Sequence, residues 1–198
     1  MYEVYKETLE VLKKDQNCVV ATVVGTKGST PQKPGAKLLV REDGSGVGTL
    51  GGGCVEGDIW YASQMLLKEG GDAKLTDYML NEEIAAREGL VCGGTMYFLI
   101  DPVFDPKSMA NPITNIVGAY DGDSSVGLAT LLKPALGKGK TGDKLLLSKD
   151  GSFSGSLGDE LRDSEAVESL SKLVDYGKVT NLVTKDGSQV FLEGFTTP

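Results

Sequence analysis

An internal repeat constrains this chain more than any other feature. Gly35-Ala36-Lys37-Leu38-Leu39 returns as Gly142-Asp143-Lys144-Leu145-Leu146. Asp43-Gly44-Ser45 returns as Asp150-Gly151-Ser152, and Gly48-Thr49-Leu50-Gly51 as Gly155-Ser156-Leu157-Gly158. These three matches share one offset of 107 residues, and Ala21-Thr22 finds its echo in Ala129-Thr130. The helix ending at Gly70 corresponds to one ending at Gly177, and Gly94–Leu99 resembles Gly187–Leu192 at a shorter offset. The second copy therefore lacks the segment around residues 80–93. A chain duplicated in this way folds as two similar units rather than one large sheet.

Each copy reads as a mixture of strands and helices. Residues 2–16 place Val4, Tyr5, Leu9, Val11 and Leu12 on one helical side. Cys18–Val24 is a β-prone run closed by Gly25, hence a buried strand. Thr26–Gly35 holds glycines, prolines and hydroxyls and reads as an ordered loop. Ala36–Arg41 and Gly46–Leu50 are strands joined by the Asp43-Gly44-Ser45 hairpin turn. Val55–Lys68 is a helix stopped at Gly70-Gly71. Ala73–Leu80 is a strand, Asn81–Gly89 a short acidic helix, and Thr95–Ile100 a strand stopping at Asp101-Pro102. Residues 103–125 read as a polar connection. The expectation is an α+β protein of two homologous modules: residues 1–102, a linker over 103–125, and a degenerate copy over 126–198. Each module is a small mixed or antiparallel sheet with helices, and the two pair as a pseudo-dimer within the chain or the chain forms a homodimer.

The copies differ where chemistry would sit. Gly52-Gly53-Cys54 aligns with Asp159-Glu160-Leu161, and Cys92-Gly93-Gly94 with Lys185-Asp186-Gly187. Carboxylates in place of glycines obstruct and repel an anion. The intact motif Gly51-Gly52-Gly53 leads into a helix, so backbone N–H groups and the helix dipole favour an anionic group there. Cys54 falls in the first helical turn, where a thiol is activated, an effect Glu56 opposes unless it points elsewhere. Cys92 lies between Leu90-Val91 and Gly93-Gly94, and Cys18 opens an apolar strand and reads as core. Ser29 and Lys33, on the Thr26–Gly35 loop, could grip an anion. Gly46-Val47-Gly48-Thr49-Leu50-Gly51 fits G-x-G-x-x-G, but a hairpin turn precedes it, whereas a dinucleotide site needs strand, turn and helix directly in sequence.

Composition narrows the classes further. The chain has no histidine, which removes His triads, His-ligated zinc and His acid–base chemistry. A net charge of −8 argues against a nucleic-acid surface. No apolar run is long enough to span a membrane and no signal sequence opens the chain, so the expected location is the cytoplasm, with reduced thiols.

Ala21-Thr22-Val23-Val24, Gly28-Ser29-Thr30-Pro31, Pro34-Gly35-Ala36-Lys37, Gly48, Gly51-Gly52-Gly53-Cys54-Val55-Glu56 and Cys92-Gly93-Gly94, in that order, resemble the XdhC/CoxI family of xanthine dehydrogenase accessory factors. The resemblance covers residues 1–102. It implies a non-catalytic chaperone that holds molybdenum cofactor (molybdopterin) while its terminal sulfur is installed and passes it to an apo molybdenum hydroxylase, with a cysteine desulfurase as a further partner. Ser29, Lys33, Gly51, Gly52, Gly53, Cys54, Glu56, Cys92, Gly93 and Gly94 become the cofactor-binding set, with no catalytic residue and no protein metal site. Typical members carry a C-terminal Rossmann domain after this module; here the degenerate copy stands in its place. The alternative from the residues alone is a thiol-dependent redox or sulfur-transfer enzyme using Cys54.

Overall fold

The computed structural model describes residues 1–80, 93–135 and 137–197. Two compact units divide the chain, Glu3–Met109 and Ala110–Pro198. The expected helix over Asn81–Gly89, and Cys92, lie outside the described residues.

The first unit is a five-stranded sheet. Its strands are β1 (Cys18–Lys27), β2 (Lys37–Arg41), β3 (Gly46–Gly48), β4 (Lys74–Met79) and β5 (Thr95–Val103), in the order β3-β2-β1-β5-β4. All pairings are antiparallel. Alternation decides which side chains meet which helix. Val19, Ala21 and Val23 of β1, Leu38 and Val40 of β2, and Met96, Phe98 and Ile100 of β5 share one core. That core is closed by Val55, Ile59 and Leu66 of α2 (Gly53–Glu69). The alternate residues Lys37 and Arg41 meet α1 (Tyr2–Lys13): the Lys37 Nζ lies 5.5 Å from the centre of the Tyr5 ring, and Arg41 pairs with Glu7 at 2.7 Å.

The second unit repeats the plan. Strands β6 (Val126–Lys133), β7 (Lys144–Ser148), β8 (Phe153–Gly155), β9 (Val179–Val183) and β10 (Gln189–Phe195) are ordered β8-β7-β6-β10-β9, again antiparallel throughout. Helix α4 (Glu160–Ser171) takes the place of α2, and Leu131, Leu145, Leu157, Ala166 and Leu192 form the matching core. The agreement reaches single hydrogen bonds. The Asp43 carboxylate accepts from the Ser45 N–H at 2.9 Å and hydroxyl at 2.6 Å, and Asp150 accepts from Ser152 at the same two distances. Two units with one strand order and one set of turn bonds are the α+β repeat expected from the sequence, and both sheets are purely antiparallel.

Three local expectations are corrected. Residues 103–125, expected as a polar connection, are mostly helical: α3 (Pro106–Asp121) occupies most of them. Pro106 opens the helix, where a missing N–H costs nothing, and Ile113, Ile116 and Ala119 are buried at helical spacing. Pro112 sits inside the helix and masks that spacing in the sequence. Second, β5 does not stop at Asp101-Pro102 but runs to Val103, paired with Cys18. β4 leaves β5 at Ile100, so the strand edge is open beyond it and tolerates proline. Third, the match of Leu99 to Leu192 slips by one residue. Ala21 faces Leu38 and Ile100, while Ala129 faces Leu145 and Leu192, so Ile100 is the counterpart of Leu192. A one-residue slip would turn Leu192 to the opposite face from its core partners. Among the described residues, no helix is long and apolar enough to cross a membrane.

Candidate functional site

The loop after β1 joins the two glycine motifs of the first unit. Gly94 has no room for a side chain: a methyl there would press on the carbonyl oxygens of Lys27 and Ser29 and come within 2.8 Å of the Thr30 methyl. A methyl on Gly28 would lie 3.2 Å from the Gly94 Cα. On the other side, Pro31 covers Gly51, whose added methyl would lie 2.8 Å from the proline ring. Gly51 and Gly93-Gly94 thus both border the short loop that carries Ser29. Gly51, Gly52 and Gly53 have φ of 114°, 75° and 67°, three consecutive residues in the region open to glycine. Among the described residues, a methyl on Gly52 or on Gly93 would meet nothing within 4 Å. Ser29 and Cys54 are exposed.

Lys33 is set apart from this group. It is exposed on the same loop, in a concavity shared with Val4, Gln32, Gly48 and Thr49 rather than with Cys54 or Gly93. Gly46 and Gly48 belong to β3 and are used by the fold. A methyl on Gly46 would lie 2.8 Å from the Trp60 ring, and one on Gly48 would lie 2.7 Å from Val4. The G-x-G-x-x-G pattern is therefore a packed hairpin strand. Cys18 is fully buried in β1, and burial pushes its thiol up to about 12. Among the described residues no group of three or more acidic or cysteine side chains is placed to hold a metal ion.

Glu56 has a different surrounding from the one its place in the motif suggested. Its Oε2 accepts from the Thr49 hydroxyl at 2.6 Å, the Leu50 N–H at 2.7 Å and the Gly52 N–H at 3.1 Å. Burial alone would raise this carboxyl; the hydrogen bonds from Thr49, Leu50 and Gly52 outweigh it and hold it below its ordinary value. Thr49 also accepts from the Gly51 N–H at 3.1 Å. Thr49 and Pro31 were not among the expected site residues. The signal available was the second copy, where Ser156 keeps the hydroxyl at the position of Thr49.

The second unit lines the equivalent place with charged side chains: Lys138, Asp159, Arg162, Glu165 and Asp186 border a concavity there. Asp159, at the position of Gly52, has an extended backbone and caps α4 by accepting from the Leu161 and Arg162 N–H groups. No side chain among the described residues caps α2, whose N-cap is Gly52. Arg162, at the position of Val55, is buried and donates to the carbonyls of Lys138 at 2.7 Å and Leu157 at 2.5 Å and to Asp186 at 2.8 Å. Asp186 lies in the turn before β10, which replaces the Cys92–Gly94 stretch. Hydrogen bonds from Thr184, then Arg162 and Ser188, drive its carboxyl far below the ordinary aspartate value. Leu161, at the position of Cys54, is 76% exposed.

The family comparison falls on the unit with the open site. The family model "XdhC and CoxI family" matches residues 11–79. The chain is 39% identical over 89 residues to the uncharacterized protein YqeB of Escherichia coli (strain K12), a match that covers 44% of this chain and 16% of that protein. It is 35% identical over 86 residues to a probable xanthine dehydrogenase subunit of Bacillus subtilis (strain 168), covering 43% of this chain and 24% of that one. In both cases the match spans less than a quarter of the relative. A crystal structure of a xanthine dehydrogenase from Bacillus halodurans, at 2.80 Å resolution, has the same fold, with a TM-score of 0.63 and 22% identity. That match covers 96% of this chain and 52% of the other. This neighbour in fold therefore has counterparts of both units.

Proposed function

We propose that the N-terminal unit is a molybdenum-cofactor site and that the chain acts as an accessory protein in the maturation of a xanthine dehydrogenase-type molybdenum hydroxylase. The XdhC and CoxI match over residues 11–79 and the Bacillus subtilis relative, named as part of a probable xanthine dehydrogenase, support the biological setting. The observation that carries the reading is the contrast between the copies. Among the described residues, the first has open space at Gly52 and Gly93 and no side-chain cap on α2; the second presents Asp159, Arg162 and Asp186 at that place, with Asp159 capping its helix.

The residues present suit such a cargo. Molybdopterin is flat and carries a phosphate, so it needs clearance, N–H donors and a positive dipole end. Gly51–Gly53 supply clearance and the start of α2, Gly93-Gly94 the opposite border, and Ser29 a hydroxyl. Cys54 offers sulfur, a soft donor suited to the metal end. Lys33 stands apart and is a weaker member of the set, and Glu56 is engaged in the loop. Once delivered, the cofactor supplies the redox metal of the client. Here the protein's own task is to bind, exclude competing carboxylates and release. The client hydroxylase and a cysteine desulfurase are the proposed partners.

The test is expression together with the cofactor pathway, followed by pterin and metal analysis of the purified chain. Retained molybdopterin supports the reading, and a protein purified without pterin or molybdenum under those conditions counts against it.

A further inference from the structure

We infer that Glu56 is a positioning residue, one methylene longer than its counterpart so that it holds Gly52 away from the capping conformation and keeps the start of α2 open. This rests on the N-terminal unit being the ligand site. The two copies share most of the device. Asp163, at the position of Glu56, accepts from the Ser156 hydroxyl at 2.7 Å and the Leu157 N–H at 2.6 Å, and Ser156 accepts from the Gly158 N–H at 2.9 Å. Glu56 makes the same bonds to Thr49 and Leu50, and Thr49 the same bond to Gly51. A carboxylate retained in the copy that lost the glycines and the cysteine braces the turn rather than touching a ligand.

The difference lies one residue further on. The longer Glu56 reaches the Gly52 N–H, and Gly52 is held at φ 75°, ψ −170°. Asp163 has no such bond to Asp159 among the described residues, and Asp159 adopts φ −154°, ψ 132°, from which its carboxylate turns onto the Leu161 and Arg162 N–H groups. Brace length and cap geometry thus change together. A glutamate pins a glycine in a conformation that L side chains avoid, and an aspartate permits an ordinary N-cap.

The experiment is amide exchange and chemical shift by NMR on the intact, ligand-free chain. In the wild type the Leu50 and Gly52 amides are both protected. In Glu56→Asp, Leu50 stays protected while Gly52 exchanges faster by about tenfold, the factor that loss of one charge-assisted bond represents. In Glu56→Gln, which keeps the length, Gly52 protection is largely retained. A brace that acts only on stability would instead lower the protection of Leu50 and Gly52 together in Glu56→Asp. That outcome, or an unprotected Gly52 amide in the wild type, overturns the inference; the wild-type measurement decides the matter if a variant does not fold. Molybdopterin retention by the same Glu56→Asp protein is read separately. If the wild type retains none, the cofactor reading fails while the amide data still judge the brace.

Discussion

At Gly52 and Asp159 the two units differ in backbone as well as in side chain. This changes what a substitution there means. Gly52 has open space around its Cα, yet its φ of 75° penalises any side chain. Gly52→Ala should therefore cost on the order of 1–2 kcal/mol through strain alone, readable as a lower denaturant midpoint. Gly94→Ala has the opposite cause: the new methyl meets Lys27, Ser29 and Thr30, and the loop must shift at a cost of roughly 1–3 kcal/mol. Leu161→Ala should leave stability within about 0.5 kcal/mol, because 76% of that residue faces solvent. A melting curve showing Leu161→Ala to be as damaging as Gly94→Ala would contradict this placement. The sequence made the glycine motifs legible as a cluster of unusual residues. It did not separate their roles, since clearance for a ligand and clearance for Trp60 or Pro31 look alike in a string of glycines. Lys33 and Glu56 show the same limit: residue type indicated charge, and only the loop path and side-chain length decided where that charge is used.

At the scale of elements, most strands and the hairpins were readable because β-prone runs and Asp-Gly-Ser turns leave strong local signals. The helix over Pro106–Asp121 was not readable, because Pro112 suppresses helical expectation although its neighbours bury a helical face. The start of α4 shows how an element end can be stabilised by its own chain. Arg162 ties that helix to the Lys138 loop, to Leu157 and to Asp186. Arg162→Ala removes three hydrogen bonds and a buried aliphatic stem, and should lower stability by roughly 2–4 kcal/mol. Val55→Ala at the matching position removes only apolar contacts. Chemical denaturation of both variants tests this, and equal effects would mean that the polar tie contributes little.

For the molecule as a whole, acid should be the revealing variable. Glu56 and Asp186 both have folded-state values below their ordinary ones. Such carboxylates contribute stability above the ordinary range, and that contribution disappears as pH falls through the folded-state value. The melting temperature should thus hold near neutrality and drop below about pH 4, and Asp186→Asn should flatten the drop. A wild-type melting temperature unchanged between neutrality and pH 3 would contradict these pairings. The duplicated plan itself was legible from the 107-residue offset, and it makes the second unit an internal control for the first. One asymmetry is central to the proposed function: the first unit presents glycines and Cys54 where the second presents Asp159, Arg162 and Asp186. The most direct measurement is pterin and molybdenum content of the wild-type and Cys54→Ala chains, each expressed with the cofactor pathway and checked for an unchanged circular dichroism spectrum. Cofactor is expected in the wild type and its loss in Cys54→Ala. Equal cofactor content in the two proteins, or none in the wild type, would contradict the asymmetry as the basis of function.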